Sequence, residues 1–239
     1  MSQRTWPAAA ASKHPRVLVV ARRTPSSLLS ALLRRLAAAE AGYDELVRRA
    51  AEEGEGGAEE GGGPADGVEP PALVWHPVGG GALALWHRPR VSDVRRFAAL
   101  GATHLVTLLG VGEKPAALGA AAAGAGVAWT WVDLPGASRE KLRDPGARAA
   151  LVVAWASTAA ALAAGARVVV HCAAGIHRTG VFAYGCLRLC GRLDAARATE
   201  ALRPMRRLTA EGVLAWRLEI AETLVGPLVA AAERGTPGD

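Results

Sequence analysis

The sequence predicts an α/β domain in which a central, mainly parallel sheet is flanked by helices and followed by a helical C-terminal part. Three features lead there. From Ala72 onward, short apolar runs of strand length alternate with helix-length segments, the βα rhythm that lays strands side by side in parallel. One run, Arg167 to His171, is nearly pure valine, as expected for a strand covered on both faces. Everything after Thr179 reads as helix.

Taken in order, Arg16 to Val20 reads as a short buried strand and Ser26 to Arg49 as a helix with Ser26 or Ser27 at its N-cap, together a strand–helix extension over residues 1–50. Residues 51–71 are dominated by Glu, Gly, Ala and Pro. Such a composition buries too little apolar surface to offset the entropy of ordering, so a flexible linker or loop is expected. Residues 72–235 form the main domain. Ala72 to Val78 and Ala82 to His87, separated by Gly79-Gly80-Gly81, read as a hairpin. Val91 to Leu100 reads as a helix, His104 to Leu109 as a strand, Lys114 to Ala123 as a helix and Val127 to Leu134 as a strand. Glu140 to Ala164 is helical with a break at Asp144-Pro145-Gly146. After the valine strand come helices over Thr179 to Leu189, Leu193 to Met205 and Thr209 to Glu233.

A chain of 239 residues suits one well-buried domain with extensions and is short for two separate cores. Its net charge of +6, from 28 basic and 22 acidic residues, favours anionic partners, but no helix-turn-helix, zinc-finger or aromatic RNA-binding signature accompanies it. Nucleic acid is therefore not the expected partner. Three cysteines, an odd number without a secretory signal, argue against a disulfide scaffold and for a reducing, cytoplasmic setting. The Arg- and Ala-rich start also fits an organelle transit peptide, although an organised strand–helix pair is more than such a peptide needs. No membrane span is expected. The apolar stretch from Ala149 to Ala164 comes nearest, but it is short and contains Trp155, Ser157 and Thr158, which suit a buried helix.

The chemistry is carried by His171-Cys172-Ala173-Ala174-Gly175-Ile176-His177-Arg178-Thr179-Gly180. A buried strand ends at His171, a cysteine follows at once, and Arg178 opens a helix. A loop running from a strand end into a helix N-terminus points backbone N–H groups at one spot and adds the positive end of the helix dipole, which suits a dianion. Gly175 lets the backbone curl where a side chain would obstruct it. Arg178 offers a planar fork that grips two phosphate oxygens together. The same field favours a thiolate nucleophile at Cys172. Attack on phosphorus would give a phosphocysteine, with the amides of Ala173 to His177 and Arg178 stabilising the equatorial oxygens. No metal or other cofactor is required. The Thr179 hydroxyl is placed to assist departure of the sulfur, and His171 to orient the loop by hydrogen bonding rather than to act as a base. His177 is expected to face outward. Cys186 and Cys190, four apart on the next helix, read as core residues.

These residues resemble the signature of the cysteine-dependent protein tyrosine and dual-specificity phosphatase superfamily: His-Cys, five residues, Arg, then Ser or Thr. The motif covers about ten residues, and the strand–helix order extends the likeness over roughly Ala72 to Glu233. The resemblance implies a phosphotyrosine-phosphatase-like fold, a two-step covalent mechanism, and a general acid on a loop some tens of residues before the signature. Asp133, in Trp131-Val132-Asp133-Leu134-Pro135-Gly136, is the candidate and Asp144 the runner-up. The Trp-Pro-Asp triplet of the receptor-like enzymes is not present.

A compact, dual-specificity-like enzyme acting on phosphorylated proteins fits best, because the phosphotyrosine-recognition loop of the larger enzymes has no counterpart. The lysines that lipid-directed relatives carry inside the signature are replaced here by Ala, Ala, Gly, Ile and His. A non-catalytic phospho-binding module, an RNA 5′-end or phosphoinositide phosphatase, and a rhodanese or arsenate reductase remain as alternatives. The basic segment Leu85 to Arg90 suits either a face toward an anionic substrate or a solvated turn, the turn being preferred, and Thr209 to Gly212 carries no assigned role.

Overall fold

The computed structural model describes residues 73–234 together with the strand Val17–Val20. The helix expected over Ser26 to Arg49 and the segment 51–71 lie outside the described residues. Among the described residues six strands form one sheet: β1 (Val17–Val20), β2 (His76–Val78), β3 (Gly81–Trp86), β4 (His104–Leu108), β5 (Ala128–Val132) and β6 (Arg167–His171). Their spatial order is β1-β5-β4-β6-β3-β2. The four inner strands are parallel, and β1 and β2 run antiparallel at the two edges. The glycine triplet makes the expected β2–β3 hairpin, shorter on its first arm than the sequence implied.

The valine strand β6 sits between β3 and β4, and its side chains alternate between two cores, the period of two that a pleated strand imposes. Val168 and Val170 join Leu83, Leu85, Val106 and Leu108 on one face, while Val169 joins Ala84, Trp86, Leu105 and Trp129 on the other. The second face is covered by α1 (Val91–Ala99) and α2 (Ala116–Gly124), whose Val94, Phe97, Leu118 and Ala122 are buried. The first face is covered by α3 (Arg139–Arg143), α4 (Pro145–Ala163), α5 (His177–Leu189), α6 (Ala195–Met205), α7 (Arg207–Gly212) and α8 (Ala215–Arg234).

Several boundaries differ from the sequence reading, each for a local reason. Asp144 ends α3 and caps α4 by accepting the Ala147 N–H at 2.8 Å, so the break falls where Pro145 cannot continue a helix. A 3-10 turn, Val111–Glu113, with Lys114 left-handed, replaces the start expected at Lys114 for α2. Helix α5 begins at His177 rather than Thr179, which puts Arg178 in its first turn. Helix α6 starts after Asp194, whose carboxylate caps Arg197 N. The single helix expected over Thr209 to Glu233 is two helices, because Leu214 adopts φ 61° and lets Val213 pack against Gly180 of α5. At 19 residues α4 is long and apolar enough to cross a membrane by length and composition, where the stretch Ala149 to Ala164 was expected to be too short. Its Ala150, Leu151, Ala154, Trp155 and Leu162 are buried in the core of this domain.

Helices α4 and α5 meet where the Trp155 indole lies flat on the backbone at Gly185. Trp155 is fully buried and its Nε1–H donates to Phe182 O at 2.9 Å. A Cβ at Gly185 would collide with the indole ring. Tyr184 and Arg188 reach from α5 to Glu222 of α8, at 2.6 and 2.7 Å, closing the opposite side. Gly185→Ala gains roughly 1 kcal/mol of helix propensity but overpacks the core at a cost of about 1–3 kcal/mol. The variant is expected to be less stable in urea titration. A gain in stability would show that Trp155 moves aside freely.

Candidate active site

The four inner strands deliver their loops to one end of the sheet. Trp86 of β3 and Thr107 of β4 both stand opposite His171, and Leu108 stands opposite Val132, so the loops after β3, β4, β5 and β6 converge at the carboxyl ends. There β6 passes directly into Cys172 and then α5.

The loop from Cys172 to Ile176 turns its carbonyls outward. Cys172 O faces His171 Nδ1 at 3.3 Å, and Ala173 O accepts the Arg88 N–H at 2.9 Å. Ala174 O and Gly175 O accept from Arg206 Nη1 at 3.5 and 2.6 Å, Gly175 O also accepts from Thr209 Oγ1 at 2.6 Å, and Ile176 O takes Gly180 N–H at 2.8 Å. With the carbonyls engaged on the outside, the amides are left for the inside. Gly175 N–H points at Cys172 Sγ, 3.2 Å away, and no acceptor among the described residues meets the N–H groups of Ala173, Ala174 or Ile176. Gly175 is the pivot: its φ is +71°, and a Cβ there would strike the Trp86 carbonyl oxygen.

Arg178 is 9% exposed, and its fork is held from behind. Its Nη1 and Nη2 donate to Glu113 Oε2 and Oε1 at 2.5 and 3.0 Å, and Nη1 also donates to Leu134 O at 2.8 Å. Gly110 N–H donates to the same carboxylate at 2.7 Å. Burial opposes the charge on Arg178, but Glu113 and the Cys172 sulfur outweigh it and raise its pKa. Burial likewise opposes ionisation of Glu113, and Arg178 and the Gly110 N–H overcome it, lowering its pKa. The sequence reading missed Glu113, Arg206 and Thr209. A buried arginine needs a carboxylate to hold it, and acids in the loops after β4 and β5 are the ones within reach; that was the available signal for Glu113.

His171 is fully buried, and a relay fixes its ring. Trp129 Nε1–H donates to Thr107 Oγ1 at 2.9 Å, and Thr107 Oγ1 lies 2.9 Å from His171 Nε2. The Cys172 carbonyl can only accept, so Nδ1 carries the proton of the neutral ring, and Nε2 then accepts from the Thr107 hydroxyl, which itself accepts from the Trp129 indole. Burial pushes the imidazole pKa down to about 3; the bond to Cys172 O opposes this, and the charges of Arg88 and Arg178 add to it. His171 is a neutral, orienting residue, as expected.

Asp133 follows β5, one residue before the Leu134 carbonyl that holds Arg178. Half-buried, its Oδ1 accepts the Val111 N–H at 3.0 Å, and it lines a cleft of about 720 Å³ with Pro135, Lys141 and Asp144. Asp144 serves as the α4 cap. Thr179 Oγ1 is buried with no hydrogen-bond partner, an orphaned hydroxyl one residue after Arg178. His177 opens α5 half-buried rather than facing outward. Cys186 is buried in the core, its pKa raised by burial and by contact with Cys190. The turn after β3 is not merely solvated: its Arg88 backbone holds the loop, which corrects the sequence reading.

No protein-family model and no curated protein matches the chain. Solved structures do. PTPMT1 aligns with TM-score 0.52 and 19% identity, over 68% of this chain and 100% of its own. Kinase associated phosphatase, in a form with its catalytic-site cysteine replaced by serine, aligns with TM-score 0.51 and 15% identity, over 69% of this chain and 98% of its own. The chain shares the phosphotyrosine-phosphatase-like fold of these proteins, including a helical C-terminal part.

At pH 5 an ordinary histidine is protonated, whereas His171 is expected to show the neutral Nδ1–H signature in ¹⁵N NMR. Because the unfolded chain takes up this proton near pH 6.5 and the folded one does not, His171 favours folding fully above that value. That contribution is lost as pH falls toward 3. Thr107→Val orphans both His171 Nε2 and the Trp129 indole and is expected to cost about 1–3 kcal/mol in urea titration. An imidazolium signal at pH 5, or a neutral Thr107→Val, would contradict the relay.

Proposed function

We propose that the chain is a phosphatase that hydrolyses phosphate monoesters through a phosphocysteine on Cys172, with phosphotyrosine, phosphoserine or phosphothreonine in proteins as the substrate class. The observation that carries the reading is the loop's polarity, with carbonyls anchored outward, the Gly175 N–H pointing at Cys172 Sγ, and the N–H groups of Ala173, Ala174 and Ile176 left without an acceptor among the described residues. That arrangement stabilises negative charge developing on three phosphoryl oxygens and costs no reorganisation when the reaction occurs.

In the first step Cys172 Sγ attacks phosphorus, the P–O bond to the leaving group breaks, and Asp133 gives the departing oxygen its proton. Arg178, braced by Glu113, grips two equatorial oxygens as they gain charge. To reach the leaving group, Asp133 exchanges its bond with the Val111 N–H for one with substrate. In the second step Asp133, now ionised, takes a proton from water as the water attacks phosphorus and the P–S bond breaks. Thr179 Oγ1, buried without a partner, donates to the departing sulfur. A buried hydroxyl left unpaired costs about 1–3 kcal/mol, so a partner gained only during catalysis is a favourable use of it. The loop amides and Arg178 supply the positive potential that a metal supplies elsewhere, so the chemistry calls for none. A role restricted to holding phosphorylated partners would need neither a sulfur within reach of the Gly175 N–H nor an acid in the loop after β5.

Purified chain is expected to hydrolyse an aryl phosphate in the presence of chelator. Cys172→Ser should abolish turnover while still binding phosphate. Asp133→Asn should lower kcat by about 10²–10⁴-fold for a poor leaving group and much less for a good one. Turnover surviving in Cys172→Ser would refute the mechanism. An unchanged leaving-group dependence in Asp133→Asn would move the acid elsewhere.

A further inference from the structure

Between Val132 at the end of β5 and Ser138, the N-cap of α3, Asp133 is carried on a loop outside any helix or strand. Two residues of that loop, Leu134 and Ala137, are buried in the core, and each presents its carbonyl to a buried arginine. Leu134 O accepts from Arg178 Nη1 at 2.8 Å, and Ala137 O accepts from Arg217 Nε at 2.8 Å. Arg217 is 5% exposed and belongs to α8, 80 residues further along the chain than the carbonyl it holds. The monoester chemistry gives Arg178 its task and leaves Arg217 without one. Burying a guanidinium is unfavourable, and an apolar side chain would fill the space at lower cost; what an arginine adds here is a donor for Ala137 O.

The two anchors are held in register with each other. Arg178 stands in the first turn of α5 and Arg217 in the first turn of α8, where its backbone N–H donates to Leu214 O at 3.2 Å. Val213, just before that turn, packs so closely on α5 that a Cβ at Gly180 would lie 2.7 Å from the Val213 Cβ. Contact that tight leaves the starts of the two helices little room to slide. The Arg217 guanidinium lies over the neighbouring Trp216 ring, 4.3 Å from its centroid, and Arg139 of α3 lies over the same ring at 4.8 Å. Stacking restricts a side chain that otherwise has many rotamers and keeps its Nε–H aimed at Ala137 O. Between the two held carbonyls lie Pro135 and Gly136. Pro135 sits against the loop after β4, where a Cβ at Gly110 would lie 2.8 Å from the Pro135 Cα. Gly136 has no side chain to limit its backbone, so the anchor beyond it decides whether Pro135 stays there and Leu134 O stays on Arg178.

We propose that Arg217 is a positioning residue for the general acid: by holding Ala137 O it fixes the loop that carries Asp133. The proposal rests on the reading of Asp133 as that acid, and it adds a residue of α8 to the acid's support. A misplacement of about 1 Å in a reacting group costs on the order of 100-fold in rate, so a partial loosening of the loop is enough to be read in kcat.

The test is steady-state kinetics of Arg217→Met and Arg217→Lys in the full chain, with phenyl phosphate as the poor leaving group and para-nitrophenyl phosphate as the good one. In Arg217→Met, kcat is expected to fall by about tenfold for phenyl phosphate and by no more than about twofold for para-nitrophenyl phosphate. Arg217→Lys keeps the charge and a donor but not the planar fork; it is expected to lose about threefold with the same selectivity, and it carries the test should Arg217→Met fail to fold. Inorganic phosphate should bind Cys172→Ser equally well with and without either substitution, because Arg178 keeps Glu113. Added to Asp133→Asn, Arg217→Met should cost nothing further, since it acts through the acid. Equal losses with both substrates, a loss that persists beside Asp133→Asn, or weakened phosphate binding would overturn the proposal, because a merely structural role produces those. Should Asp133→Asn itself leave the leaving-group dependence unchanged, the acid reading falls and the proposal with it. An Asp133→Asn that behaves as expected, beside Arg217 variants without effect, sinks the proposal alone.

Discussion

The outward anchoring of the loop carbonyls between Cys172 and Ile176 is the constraint on which the rest of the site depends. A peptide unit cannot turn its N–H inward unless its neighbours' oxygens find partners elsewhere, because an unpaired buried carbonyl is costly. Here those partners come from the neighbouring β3 turn, the first residues of α7, and α5 itself: Arg88 N–H, Arg206, Thr209 and Gly180 N–H. The fold explains why they are close. Parallel β3 and β4 flank β6, so the turn after β3 must run alongside the loop, and the break at Leu214 lets Val213 pack on Gly180 with Thr209 near the loop.

The charged groups follow from that geometry. Arg178 keeps its orientation because Glu113 and Leu134 O hold one side of its fork, and both come from loops that the parallel sheet delivers to the same end. A bidentate pair of this kind, largely out of water, fixes the plane of the guanidinium as well as its charge. Neutral His171 adds no charge of its own. Tied through Thr107 to the Trp129 indole, it acts by fixing the strand-to-loop junction.

Much of this was legible in the sequence, for physical reasons that differ between elements. The valine strand, the glycine hairpin and the Cys172 to Arg178 segment are local patterns, and the structure places each where the pattern implies. The α3–α4 break was likewise signalled by Asp144-Pro145, a cap followed by a residue without an N–H. The misses are contacts between distant segments. Glu113, Arg206 and Thr209 lie far along the chain from the residues they hold and carry no spacing relative to them. Leu214 interrupts what looks like continuous helix because tertiary packing overrides local propensity. The same limit made the turn at His87 and Arg88 look solvated, since its contact with Ala173 exists only once β3 and β6 are paired.

The most direct measurement of the central claim is to quench the protein in acid during turnover of an aryl phosphate and map the phosphate by mass spectrometry, with Asp133→Asn used to slow the second step. The account predicts a phosphate on Cys172 Sγ that appears with substrate and decays as inorganic phosphate forms. Phosphate on any other residue, or sustained hydrolysis by protein that never carries one, would contradict it.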